Sequence, residues 1–219
     1  MTHSVHTSAS AARHTLPDDG LTGRAGRARR EPMAVRALRD DTYLVDTEHD
    51  SYIVDLDARS CSCPDRTIRN ARCKHLRRVA MEVNEGLVPP PGKRDGACAV
   101  CGEPIFVPVG KGSYLCPVHR PARGEFVRDR ESGSLLLVTD VTSERSDERE
   151  TDDGRPIAEY DSNRDYGDHE PVVEAVYVGR ARAADGHLDV SGLRRYSFPA
   201  SRLKRIPDDI APNLAVVGV

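Results

Sequence analysis

The sequence predicts an α+β chain of small, stapled modules, not one large core, and three observations lead there. There is no tryptophan and there are only 3 phenylalanines in 219 residues, too little aromatic surface for a single extended core. Short β-like runs surround one clear helical period. All six cysteines fall into two tight groups, each completed by a histidine. The expected order is a disordered basic arm over 1–30, a strand–strand–helix module over 31–88, a second cysteine module over 93–122, and a mainly-β unit over 123–219 with an acidic loop at 140–170.

The first thirty residues are rich in Ser, Thr, His, Ala and Gly, show no hydrophobic period and end in GRAGRARR. They are expected to be disordered, either as a solvated tail or as a phosphate-contacting arm through Arg24, Arg27, Arg29 and Arg30. Next, Tyr43-Leu44-Val45 and Tyr52-Ile53-Val54 flank the polar turn Thr47-Glu48-His49-Asp50, a hairpin signature. Leu76, Val79, Ala80 and Val83 recur at i, i+3, i+4, i+7, which predicts an amphipathic helix that ends at Gly86. Pro89-Pro90-Pro91-Gly92 reads as a stiff linker. Around the second cysteine group a strand pair is expected at Ile105–Val109 and Tyr114–Leu115. Further strands are expected at Glu125–Arg128, Leu135–Thr142, Val172–Val178 and Arg195–Phe198, completing a C-terminal β unit that could close as a small open barrel. From Asp140 to Glu170 there are 12 Asp/Glu against 4 Arg, which predicts a long mobile loop.

The cysteine groups point to metal. Cys61-x-Cys63 and Cys73-x-His75 supply four soft donors, the number that tetrahedral zinc needs. Cys98-x2-Cys101 and Cys116-x2-His119 supply four more, with Gly102 placed for the tight turn that a two-ligand knuckle makes. All six cysteines are then used in two Cys3His sets. The competing account, three disulfides, leaves His75 and His119 unexplained and needs an oxidising compartment; a third account makes His75 only a packed residue at a helix start. Four-ligand sites are closed, so two structural zinc ions are expected and no catalytic one.

The pattern Cys-x-Cys-x9-Cys-x-His, preceded by a hairpin and followed by an amphipathic helix, resembles a SWIM zinc finger over about Thr42–Val83. That resemblance implies a ββα zinc module with Cys61, Cys63, Cys73 and His75 as ligands, a DNA or protein partner, and no catalysis. The second group, with a hairpin between its halves, resembles a zinc ribbon.

Net charge is −3, so the chain as a whole is not a basic nucleic-acid binder, but charge is unevenly placed. Between Arg59 and Arg78 seven basic residues face the single acid Asp65. Lys74, Arg77 and Arg78, at i, i+3, i+4, are expected on the helix face opposite its apolar stripe. Arg66, Arg69, Arg72, Lys74, Arg77 and Arg78 are therefore the candidate phosphate contacts, the alternative being a solvated or internally paired face. A second basic stretch, Arg194-Arg195-Tyr196-Ser197-Phe198 with Arg202, Lys204 and Arg205, could stack on bases, although Tyr196 and Phe198 alternate as a strand's core face would. No nucleophile elbow, P-loop, dinucleotide fingerprint or His-Glu-x-x-His is present. The expectation is thus a non-enzymatic zinc protein that binds nucleic acid or serves a nucleic-acid-handling complex; the alternative is a zinc-stapled protein-interaction adaptor. No run of about 18–20 apolar residues and no secretory leader are found, so a cytoplasmic chain with neither a membrane nor a small-molecule partner is expected.

Overall fold

In a computed structural model the chain forms two compact units, Met1–Asp95 and Gly96–Val219. Residues 12–110, 112–184, 187–207 and 215–218 are described. No helix among them is long and apolar enough to cross a membrane.

In the first unit, helix α1 (Gly23–Arg30) precedes strands β1 (Ala34–Ala37), β2 (Tyr43–Asp46), β3 (Ser51–Asp55) and β4 (Ser60–Cys61), which form an antiparallel sheet in chain order. The expected hairpin is β2–β3, with Leu44 opposite Ile53. β1, whose Ala-Val-Arg-Ala run holds a single β-branched residue, and the two-residue β4 extend it on both sides. A one-turn helix α2 (Pro64–Thr67) and helix α3 (Lys74–Asn84) follow. The apolar stripe of α3 works as expected. Leu76 and Val79 are buried against Met33, Val35, Tyr43, Val45 and Val54, the inward side chains of the sheet.

The disordered arm is corrected over 12–30; residues 1–11 lie outside the described residues. His14 bridges Met33 through two backbone hydrogen bonds, Leu16 is buried, and Ala28 on α1 is wholly buried. The organiser is Arg78. Its Nε donates to Glu82 Oε1 at 2.5 Å, its Nη1 to the Ala28 carbonyl at 3.0 Å and its Nη2 to the His14 carbonyl at 2.6 Å. A guanidinium with five donors satisfies itself inside the protein only among several carbonyls and a carboxylate. The arm supplies the carbonyls.

β5 (Lys93–Ala97), whose last two residues begin the second unit, pairs with β6 (Pro104–Pro108). The expected strand at Tyr114–Leu115 is not one: Ile105 pairs back toward β5, and the Tyr114 carbonyl accepts from Ala99 N–H at 2.9 Å. All four strands expected after Pro121 are present as β7 (Phe126–Asp129), β8 (Leu135–Arg145), β9 (Pro171–Tyr177) and, past two short strands β10 (Arg182–Ala184) and β11 (His187–Asp189), β12 (Tyr196–Pro199). A 3-10 turn, Ala200–Arg202, leads to β13 (Leu203–Arg205), and β14 (Ala215–Val217) pairs in parallel with β11.

The main sheet runs β12-β9-β8-β7-β13, antiparallel throughout. Its edges, β12 and β13, are joined by only three residues. Four residue steps reach at most about 14 Å, whereas the edges of a flat five-stranded sheet lie about 19 Å apart. The sheet therefore curls toward an open barrel, helped by register shifts along β8 that bend the strand. Side chains alternate between two cores. Val127, Leu136, Val138 and Ala175 join Cys98, Leu115, Cys116 and Phe198, while Phe126, Leu137 and Val176 join Leu188 and Val190.

The acidic segment is corrected as well. Its first residues, Asp140–Arg145, continue β8, and the rest is a hydrogen-bonded excursion, not a mobile loop. Ser146 N–H donates to the Glu170 carbonyl at 2.9 Å, Asn163 Nδ2 to the Ile157 carbonyl at 2.7 Å, and Ile157 is buried. Its charge is locally offset, with Arg149 between Glu144 (2.7 Å) and Glu174 (3.1 Å). Arg202 is the counterpart of Arg78. It pairs with buried Asp129 at 2.8 Å and donates to Asn163 Oδ1 at 2.7 Å.

Candidate metal centres

Each unit brings together one of the two expected ligand sets, with all four ligand atoms within 4.8 Å of one another. In the first unit, Cys61 ends β4, Cys63 caps α2, and Cys73 caps α3, its Sγ accepting Leu76 N–H at 3.4 Å. His75 stands in the first turn of α3, its Nδ1 3.8 Å from Cys61 Sγ. Zn–S bonds of about 2.3 Å and Zn–N bonds of about 2.0–2.1 Å at tetrahedral corners put neighbouring donors roughly 3.5–3.8 Å apart, so the spacing suits one ion. All four ligands are buried.

The electrostatics of this donor set suit a cation. The Cys61 thiol donating to Cys73, with the His75 ring and Leu76 N–H beside it, brings the Cys73 thiol down to about 3. That same hydrogen bond, together with burial, pushes Cys61 far up, and burial raises Cys63 too. One thiolate forms easily, and its negative charge holds the other thiols protonated; a divalent ion removes that conflict. The Tyr52 ring stacks on His75 at 4.2 Å, covering the ligand. With Nδ1 toward the sulfurs, His75 Nε2 is buried with no hydrogen-bond partner among the described residues.

In the second unit Cys98 follows β5, and two knuckles face each other. Gly102 N–H donates to the Cys98 carbonyl at 2.9 Å with Gly102 at φ 73°, the left-handed turn that the sequence called for; His119 N–H donates to the Cys116 carbonyl at 3.0 Å. His119 Nδ1 lies 3.3 Å from Cys116 Sγ and 3.7 Å from Cys98 Sγ, and Cys101 Sγ lies 3.9 Å from Cys116 Sγ. Burial raises the Cys98 thiol, but N–H donors of Cys116, Cys101 and Val100 outweigh it and hold the group at about 6. Cys101 is exposed and His119 half-buried, so this site lies at a surface.

The six candidate phosphate contacts do not form one face. Arg78 is fully buried and is withdrawn as a contact, because the arm covers that side of α3. Lys74 pairs with Glu31, and Arg69 with Asp65 at 3.2 Å, Asp65 being shared with Arg24 at 2.6 Å. Arg77 is half-buried, its Nε donating to the Arg72 carbonyl at 3.2 Å. Arg66 donates to the Asn70 carbonyl at 3.1 Å, and Arg72 is exposed. Arg59, counted in the local charge but not among the candidates, joins these last two on one wall. Its signal was the tight Leu56-Asp57-Ala58-Arg59 turn, closed by Arg59 N–H donating to the Leu56 carbonyl at 3.3 Å. In the second stretch, Phe198 is buried in the sheet core, as strand alternation implied, while Arg194 lies over the Tyr196 ring at 5.3 Å.

No curated protein and no solved structure matches the chain. Residues 52–84, which hold the buried Cys61/Cys63/Cys73/His75 centre framed by β3, β4 and α3, are similar to the SWIM zinc finger.

Proposed function

We propose that this chain is a non-catalytic protein holding two structural zinc ions, which engages nucleic acid through the basic surface of its SWIM finger. Two closed sets of four soft donors support the zinc reading, because neither leaves a ligand position for water or substrate. The observation that carries the nucleic-acid reading is the charge of the finger itself. Arg59, Arg66 and Arg72 stay without a carboxylate partner among the described residues although acids surround their neighbours.

The test is fluorescence anisotropy of the zinc-loaded full chain on labelled oligonucleotides across a salt series. Binding whose log K falls linearly with log salt, by about 0.7–0.9 per phosphate contacted, is expected. Absence of binding to any nucleic acid at low salt overturns the reading. It would leave the adaptor alternative, which a groove of about 830 Å³ in the second unit favours: Tyr160, Tyr177, Tyr196 and Phe198 line it between acidic Asp152 and Asp153 and basic Arg194 and Arg195.

A further inference from the structure

The basic residues around the finger fall into three groups, of which Arg77, donating to the Arg72 carbonyl, is one by itself. Arg24, Arg69, Lys74 and Arg78 sit on carboxylates. Arg59, Arg66 and Arg72 converge instead on one cavity of about 610 Å³, whose lining continues over Asn70 and an apolar patch of Leu56, Leu76 and Ala80. No ion pair to any of these three arginines occurs among the described residues.

Two backbone positions at this cavity stand out. Arg59 has φ 51° and Asn70 has φ 49°, two of the three non-glycine residues in the left-handed region among the described residues. Asparagine tolerates that conformation; an arginine is strained there and glycine would not be. The turn between β3 and β4 therefore gains nothing from an arginine backbone at 59. What the residue adds is a guanidinium on the cavity wall. Arg66 is steadied by its bond to the Asn70 carbonyl, which takes one of its five N–H donors and leaves the others open.

Guanidiniums that converge without a carboxylate match a phosphate, which they can grip through paired N–H donors. The apolar patch beside them asks for a second, less polar group attached to that phosphate. A nucleotide carries both. In a duplex the base faces are stacked inside and a protein wall meets phosphates, sugars and base edges, whereas an unstacked strand can place a whole base into a concavity, where guanidinium planes also serve as stacking surfaces. We infer that this cavity takes one unstacked nucleotide of a single-stranded nucleic acid, its phosphate against Arg59, Arg66 and Arg72 and its base over Leu56, Leu76 and Ala80. The inference rests on the nucleic-acid reading above and specifies where and in which form the strand binds.

The test uses the zinc-loaded full chain with a labelled single strand and the matching duplex at equal salt. Ala80→Met fills the cavity without changing charge. It is expected to weaken single-strand binding about tenfold, the range of one lost base contact, while duplex binding stays within about twofold. Arg59→Gly removes the guanidinium and relieves the backbone, so the variant folds at least as well. Its single-strand salt slope should fall by about 0.7, one phosphate contact. Zinc content and circular dichroism confirm folding, and Arg59→Gly stands in if Ala80→Met misfolds. Equal losses on single strand and duplex, or no loss on either, overturn the cavity while leaving nucleic-acid binding intact. Failure of the wild-type chain to bind either probe overturns the broader reading instead.

Discussion

The two units carry the same donor set, three cysteines and one histidine, and the same device, a buried arginine paired with a buried acid. They use them differently. In the first unit three of the ligands belong to the single core around which sheet and helix pack, and α2 is one turn long. Without an ion, that core contains thiols in mutual conflict. In the second unit Cys98 and Cys116 join the core on one face of a curled five-stranded sheet, while the core on its other face, around Phe126, Leu137, Val176, Leu188 and Val190, contains none of the ligands. The first unit has one core, which contains three of the candidate ligands; the second has two, of which only one contains any. The arginines differ in the same sense. Arg78 draws an N-terminal segment onto a helix, and Arg202 draws an acidic excursion onto a sheet.

Removing metal should separate the units most. Structural zinc contributes about 10–16 kcal/mol of apparent binding free energy, as much as a whole small domain's stability. Chelation, or Cys73→Ser, is expected to abolish slow amide exchange over 34–84. Cys116→Ser should leave it intact in β7, β8 and β9, read by hydrogen–deuterium exchange. Equal loss in both units would show that the second centre is as central as the first.

Breaking the buried pairs comes next. Arg78→Ala leaves buried Glu82 with only His14 Nε2 at 3.5 Å, and Arg202→Ala leaves buried Asp129 without a cation, each at a cost of about 3–5 kcal/mol. Denaturant titration should show similar losses. Exchange should place the first loosening at 12–33 and the second at 157–163. The double replacement Arg78→Leu/Glu82→Leu should recover much of the loss if the charge, more than the carbonyl contacts, dominates.

Acid should discriminate further. Burial raises the Asp129 carboxyl, but the Arg202 guanidinium, the Ser132 hydroxyl and Glu131 N–H together hold it at about 2, below its ordinary 3.8. A lowered carboxylate stabilises fully above its unfolded value. This contribution, roughly 2 kcal/mol, is thus present above about pH 4 and lost as pH falls through 2. Protons compete with zinc for thiolates at milder acidity. Circular dichroism with a zinc-release dye should therefore report the first unit unfolding before the second, and the opposite order would break the comparison. The smallest effect belongs to Arg69→Ala. It removes an exposed pair whose partner, Asp65, keeps Arg24, and should change stability by under about 1 kcal/mol in thermal unfolding.

Several of these features were legible along the chain. The eight ligands, the β2–β3 hairpin, the α3 stripe and the main strands after Pro121 all follow from spacing or period, which are local properties. β4 was too short to show a period, and β1, Ala-Val-Arg-Ala, holds only one β-branched residue. The β5–β6 pairing was hidden because β5, Lys-Arg-Asp-Gly-Ala, has no β-branched or aromatic residue, so the run at Tyr114–Leu115 looked like the partner.

What the sequence determined by itself is the chemistry available: two closed sets of four donors, a surplus of positive charge over 59–78, and an alternating pattern that builds a sheet with two buried faces. Tertiary structure alone decided which of those charges remain available. Arg78 reaches back sixty-four positions to His14, Arg24 forward forty-one to Asp65, and Lys74 forty-three to Glu31. A helix face's charge is set by neighbours a turn apart, but its neutralisation depends on acids and carbonyls that only folding brings near, and folding left Arg59, Arg66 and Arg72 around one cavity.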